Sequence, residues 1–239
     1  MALLDFFCAQ LSVIDLGTDP PPVSDYQVPI LRVYTHHFHP DQWDLTTTQI
    51  IPFLDGFNHI ARISALADVE SNLVRACVQN LVYHRVLGLV SIFQYGNVYT
   101  VTPELASLRT DKELQKDVLR AAARTQEEPP TFRDLYTFIS SFTYGTTVKD
   151  LCTRHNPLKM GIDERRLVQY LLLKGVLRRV FKYPVHCGEG SGVAPELQRL
   201  YAWLSGEFHT DQICVAAGLS AAQLDAKIEE DQNILVLWK

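Results

Sequence analysis

Between residues 43 and 103 the apolar positions run first at helical and then at strand spacing. Leu45, Ile50, Phe53, Leu54 and Phe57 make an apolar stripe that Asp44 opens as a helix N-cap and Gly56 closes. Pro52 falls inside it and either kinks or splits the helix, because proline removes an internal hydrogen bond. Residues 59–68 lead through Val69 into a longer helix, where Leu73, Cys77 and Leu81 stack at i, i+4 and i+8 with Val74, Val78 and Val82 beside them. So wide a stripe suits a helix packed against two others. Past Val86 the pattern becomes β-rich over 87–93, and 98–101 answers it across Gly96-Asn97, a pair suited to a two-residue hairpin turn. Three helices closed by such a hairpin make a winged helix.

The same order recurs twice. An amphipathic segment at 110–125, with Leu114, Val118 and Leu119 on one side, connects to a break at 126–130, Gln-Glu-Glu-Pro-Pro. Thr131 then caps a helix carrying Leu135, Phe138, Ile139 and Phe142. Thr147 caps a short one through Val148, Leu151 and Cys152, and Asp163 opens a third through Leu167, Val168 and 170–173. Residues 177–185 return as β. The last unit places helices at 195–204, 210–217 and 220–230, with a turn at Gly218 and an S-x-x-Q capping box from Ser220 to Gln223, before a strand at 233–238. Being small, this unit is expected to lean on a neighbour. The predicted fold is mainly α with small β wings: tandem winged-helix-like units after an extended N-terminal segment, divided as 1–42, 43–129, 130–192 and 193–239.

Upstream, residues 26–34 alternate like a short strand that Pro29 confines to an edge. Through Tyr26, Val28 and Ile30 it either adds to a partner's sheet or covers its own core.

Charge narrows the function classes. The 239 residues carry a formal net charge of −5, against generic binding to nucleic acid or anionic membranes. The distribution is uneven: 131–186 holds ten Lys and Arg against four Asp and Glu, and 193–239 three against seven. Arg165, Arg166, Lys174, Arg178, Arg179 and Lys182 make the one basic stretch. It supplies either phosphate contacts, which keeps a winged-helix DNA-binding regulator as the alternative function, or a face for an acidic protein partner. The acidic third-unit helix, with Asp225, Glu229 and Glu230, would repel a phosphate backbone.

Five scattered cysteines without a CxxC pair indicate neither a disulfide framework nor a zinc finger, and suit a reduced intracellular protein. The apolar run at 1–16 lacks a basic flank and is interrupted by Asp5 and Gln10, unlike a signal peptide. No stretch reaches the roughly 18 apolar residues of a membrane span. His36, His37 and His39 read as a solvated loop, because no acidic or thiol set completes a metal site beyond nearby Asp41. Phosphate-binding loops, dinucleotide fingerprints, nucleophile elbows and H-E-x-x-H are absent. Cys152, three residues before His155, reads as packing rather than a thiol nucleophile. No cofactor or catalytic residue is predicted.

QWDLTTTQIIPFLDGF, DVESNLVRACVQNLVY, LVSIFQYGNVY, GTTVKDL, IDERRLVQ, LRRVFKYPV and NILVLWK occur in that order through the chain. At these residues it resembles the nitrogen permease regulator 2 family, a subunit of the GATOR complex that restrains TOR signalling. The resemblance implies contacts with a nitrogen permease regulator 3-like subunit and a large DEP-domain subunit. It also implies action on Rag GTPases through the complex, and a cytoplasmic protein recruited to the lysosomal surface. GTPase activation in the family resembles an arginine-finger mechanism, whose arginine belongs to an N-terminal longin-type domain. No residue here matches that motif, so Arg62, Arg75 and Arg85 are not assigned the role, and the chain is expected to be a shortened form or segment lacking that domain. Arg165, Arg166, Arg178 and Arg179, with Tyr26, Val28 and Ile30, are the candidate partner-binding residues.

Overall fold

The computed structural model describes residues 20–32, 44–125, 130–187 and 200–239. The 1–16 run, the histidine cluster at 36–39 and residues 195–199 of the predicted third-unit helix lie outside them.

Helices form where an apolar period and an end-capping side chain agree. The chain runs β1 (Val28–Leu31), α1 (Leu45–Ile50), α2 (Ile60–Ala67), α3 (Ser71–Tyr83), β2 (Leu87–Val90), β3 (Val98–Val101), α4 (Leu105–Thr110) and α5 (Lys112–Ala122). It continues through α6 (Phe132–Ser140), α7 (Val148–His155), α8 (Glu164–Leu173), β4 (Leu177–Val180), β5 (Lys182–His186), α9 (Thr210–Ala217), α10 (Ala221–Glu230) and β6 (Ile234–Trp238). The described chain is thus mainly α with small antiparallel two-stranded sheets.

The predicted caps act as side chains should. Thr131 accepts from the Asp134 N–H and Asp163 from that of Arg166, while Thr147 with Asp150 and Ser220 with Gln223 close full capping boxes. Asp44 stands at the N-cap of α1 without a side-chain capping bond. Pro52 splits its helix, since α1 ends at Ile50 and a 3-10 turn, Ile51–Phe53, follows.

Three apolar clusters form the interior. Ile50, Ile60, Ile63, Val74, Val78 and Leu87 are central to the first. On α3, Val74, Val78 and Leu81 are buried and Cys77 and Val82 pack against the cluster, as the stripe predicts, whereas Leu73, a turn before Cys77 at the helix start, is 51% exposed. Leu45 and Phe57 are also exposed, because the split at Pro52 leaves only Ile50 and Leu54 of the predicted stripe turned fully inward. The second cluster joins Tyr99 and Leu108 to Phe138, Ile139, Leu151, Leu167 and Leu171, and draws in Val118 and Ala122 of α5. Residues 98–122 therefore pack with the 130–180 region. Leu200, Leu204, Ile213, Leu224 and Ile228 form the third.

The strands do not pair as predicted. β2 pairs with β1, Val28 opposite Val90, and β3 pairs with β4, Val98 opposite Val180. The expected hairpin across Gly96-Asn97 is therefore absent. Primed hairpin turns need positive φ, and neither residue has it. Asn97 is instead held by its side chain, Nδ2 donating to the Ile92 carbonyl at 2.9 Å. β5 pairs with β6, so the last strand of the chain closes on the region before it. Register also explains the strand prolines. The Arg32 N–H donates to Val86 and the Phe181 N–H to Lys239, so alternation turns Pro29 and Pro184 away from their partner strands, where a missing N–H costs the ladder nothing.

Candidate functional site

Helix α8 serves two surfaces. Leu167, Val168 and Leu171 face the second core, while Arg166, Gln169, Tyr170, Leu173 and Lys174 recur at i, i+3, i+4, i+7 and i+8 along another face. That second face, with β1, the 54–56 turn and α5, lines a groove of about 750 Å³. Gly56 takes φ +75, a conformation that favours glycine, and its carbonyl accepts from Gln169 Nε2 at 2.7 Å, which ties the turn to α8. The Arg165 guanidinium lies 3.1 Å from the centre of the Phe57 ring, which accounts for that exposed phenylalanine. Burial pushes the Arg165 guanidinium down from its ordinary value, and its Nη1 is buried without a hydrogen-bond acceptor among the described residues.

Of the predicted partner-binding residues, Ile30, Arg165 and Arg166 come together in this groove. The others do not join them. Val28 is buried, and β1 covers the chain's own core through β2. Tyr26 packs edge-on against His209, ring centres 4.7 Å apart. Arg178 is exposed on β4, outside the groove.

Arg179 is turned inward, which removes it from any exposed basic face. It pairs with Asp211 through both carboxylate oxygens, and donates to the Ile92 carbonyl at 3.1 Å and to Asn97 Oδ1 at 2.9 Å. Its guanidinium lies 4.7 Å from the Phe181 ring centre. One arginine on β4 thus fastens the segment before β3 to the N-terminal turn of α9. Sequence reading took Arg179 for a surface cation because nothing local marks the distant Asp211 as its partner.

Sequence reading also missed the groove residues Arg32 and Gln169, and placed Lys174 only in the basic stretch. The α8 spacing was the available signal, but Tyr170 and Leu173 had been absorbed into a single apolar stripe. His209 was missed too: it caps α9 in a box with Gln212 and stacks on Phe181 at 4.4 Å. Burial pushes its imidazole down to about 4, Asp211 opposing and Arg179 adding. The H-x-x-Q spacing was visible, although histidine is not a usual cap.

The groove side chains suit recognition. Cys152 is half-buried against the second core, and burial pushes its thiol up to about 11, as packing requires. Among the described residues no three or more metal-ligating side chains converge, and no helix is long and apolar enough to cross a membrane. The groove lining mixes cations with apolar side chains, which suits a surface both acidic and apolar.

The family model of nitrogen permease regulator 2 matches residues 9–125 and 116–232. The chain belongs to the nitrogen permease regulator 2 family. It is 39% identical over 230 residues to a GATOR complex protein NPRL2 of Drosophila melanogaster, covering 96% of this chain and 54% of that protein. It is 29% identical over 200 residues to the nitrogen permease regulator 2 homolog of Schizosaccharomyces pombe, covering 82% and 49%. Against nitrogen permease regulator 2 of Saccharomyces cerevisiae the match is 34% over 95 residues. The chain spans about half the length of the first two of these family members.

Proposed function

We propose that this chain is an assembly part of a GATOR-type GTPase-activating complex that acts on Rag GTPases and restrains TOR signalling when amino acids are scarce. The observation carrying this reading is the 39% identity, along 96% of the chain, to a relative named for the GATOR complex. On it, the chain contacts a nitrogen permease regulator 3-like subunit and a large DEP-domain subunit. It meets Rag GTPases only through them, and travels from the cytoplasm to the lysosomal surface with the complex. The recurring helix order favours winged-helix-like units used as protein-binding modules, with residues 98–122 packing into the second unit rather than the first.

The chain itself is non-catalytic on this reading, the arginine finger being supplied from outside it. The DNA-binding alternative draws no support from the basic stretch. Arg179 is paired with Asp211, Lys182 with Asp225 at 3.2 Å, and Arg165 stacks on Phe57, so these cations do not form one groove-reading face.

Co-expression with the two sister subunits, followed by single-turnover Rag GTP hydrolysis, tests this. The chain is expected to co-purify stoichiometrically without accelerating hydrolysis, since an arginine finger is worth about 10³–10⁵ in rate. Failure to co-purify overturns the assembly reading. Stimulation by the assembled chain to within about tenfold of a full-length family member, equivalent to about 1.4 kcal/mol of barrier, overturns the non-catalytic one.

A further inference from the structure

We infer that the groove between β1, α5 and α8 receives an acidic segment of a partner subunit, with one apolar side chain seated on its floor. This rests on the assembly reading and names the chemistry of one contact.

Charge selects the occupant. The lining carries Arg32, Arg120, Arg165, Arg166 and Lys174 against two acids, Asp55 and Asp117, on a chain whose formal net charge is −5. Both acids are already engaged inside the chain. Asp55 accepts from the N–H groups of Phe57 and Asn58 at 2.8 and 3.0 Å and from Asn58 Nδ2 at 3.0 Å, while Asp117 faces Arg120 at 3.9 Å, so that pair cancels and Arg32, Arg165, Arg166 and Lys174 stand against Asp55. Arg166 has a side chain 61% exposed and meets Asp163 at 3.7 Å, too far for a close hydrogen bond. Arg165, stacked on Phe57 with its Nη1 buried, adds positive potential to the groove rather than an open donor.

The floor selects a protein segment over a phosphate ligand. Ile30, Leu31, Leu54 and Leu173 present alkyl groups where a nucleic acid or lipid headgroup would need donors, so carbon belongs in the depth of the groove and carboxylates on its rim. A volume of about 750 Å³ admits an anchor residue with its flanks. An aliphatic or aromatic residue with Asp or Glu on either side is the chemistry that fits.

The test uses the full chain assembled with its sister subunits. A photo-crosslinking residue placed at Ala121 on the groove wall is expected to capture a partner segment in which acidic residues flank an apolar one. Arg166→Glu/Lys174→Glu, both exposed, is expected to weaken assembly by at least about tenfold, with Arg178→Glu outside the groove changing it less than about twofold. If the Glu pair disturbs the circular dichroism spectrum, Arg166→Ala/Lys174→Ala takes its place, with the same direction expected. Assembly unchanged by these variants, or a cross-link to a basic segment or to nothing, overturns the groove inference and leaves the assembly reading standing. Groove-dependent binding of phosphatidylserine vesicles with subunit affinity unchanged also overturns it, in favour of a membrane surface. A chain that never assembles overturns both.

Discussion

Replacing Asp211 by Leu leaves Arg179 as a buried guanidinium with no counter-charge. Both side chains are 5% exposed, so water cannot take over the role of the carboxylate. The remaining acceptors, the Ile92 carbonyl and Asn97 Oδ1, offer dipoles only, and Arg179 Nε has no acceptor among the described residues even in the intact chain. Breaking a buried pair from one side typically costs about 3–5 kcal/mol, a large share of the ~5–15 kcal/mol of an ordinary domain. Removing both charges, in Arg179→Met/Asp211→Leu, also removes their desolvation penalty. It leaves Asn97 Oδ1 short of a donor, about 1–3 kcal/mol, while the Ile92 carbonyl keeps its bond from Asn97 Nδ2. The double variant is therefore expected to be more stable than Asp211→Leu alone, with a coupling of about 2 kcal/mol or more in a double-mutant cycle. Urea unfolding at pH 7 of the four proteins measures this. Asp211→Leu costing less than about 1 kcal/mol, or a double variant as unstable as the sum of the singles, would refute the view that this pair fastens the segment before β3 to α9.

Three further outcomes are expected. The His209 imidazole is lowered to about 4 from an unfolded value near 6.5, so the unfolded chain binds more protons between these values. Stability is then complete above pH 6.5 and falls by up to about 3 kcal/mol as pH drops through 4, a slope that His209→Asn should flatten in urea titrations at pH 7 and 4.5. Gly206→Ala combines φ +84 with a new Cβ 2.8 Å from Val185 Cγ2, so it should lower stability by about 1–3 kcal/mol more than Gly145→Ala, where φ is +81 and the space is open. Thermal denaturation of the two variants compares them, and equal losses would remove the steric part of the account. Cys152 and Cys214, both pushed up to about 11 by burial, should alkylate with iodoacetamide at pH 8 about 100-fold more slowly than an ordinary exposed thiol, with exposed Cys187 labelled before either in a peptide-mapped time course.

What the amino-acid order settled on its own is local. Caps at Thr131, Thr147, Asp163 and Ser220 were legible because a side chain and an N–H two or three residues on meet in any helix that starts there. A kink or a split at Pro52 followed from one missing hydrogen bond, and the fold decided for the split. Seven words in family order mark the nitrogen permease regulator 2 family without the fold. Pairing and facing were a different matter, because they depend on residues far apart in the chain. β2 took β1, and β3 took β4, once the Gly96-Asn97 turn lacked the positive φ a hairpin needs. Arg179 became interior because Asp211, distant in sequence, stands beside it. The groove assembles β1, the 54–56 turn, α5 and α8, four segments whose lining residues look like ordinary amphipathic positions when taken singly. Periodicity says that a helix has a buried side and an outer side. Only packing divides the outer side of α8 into what meets solvent and what walls a cleft.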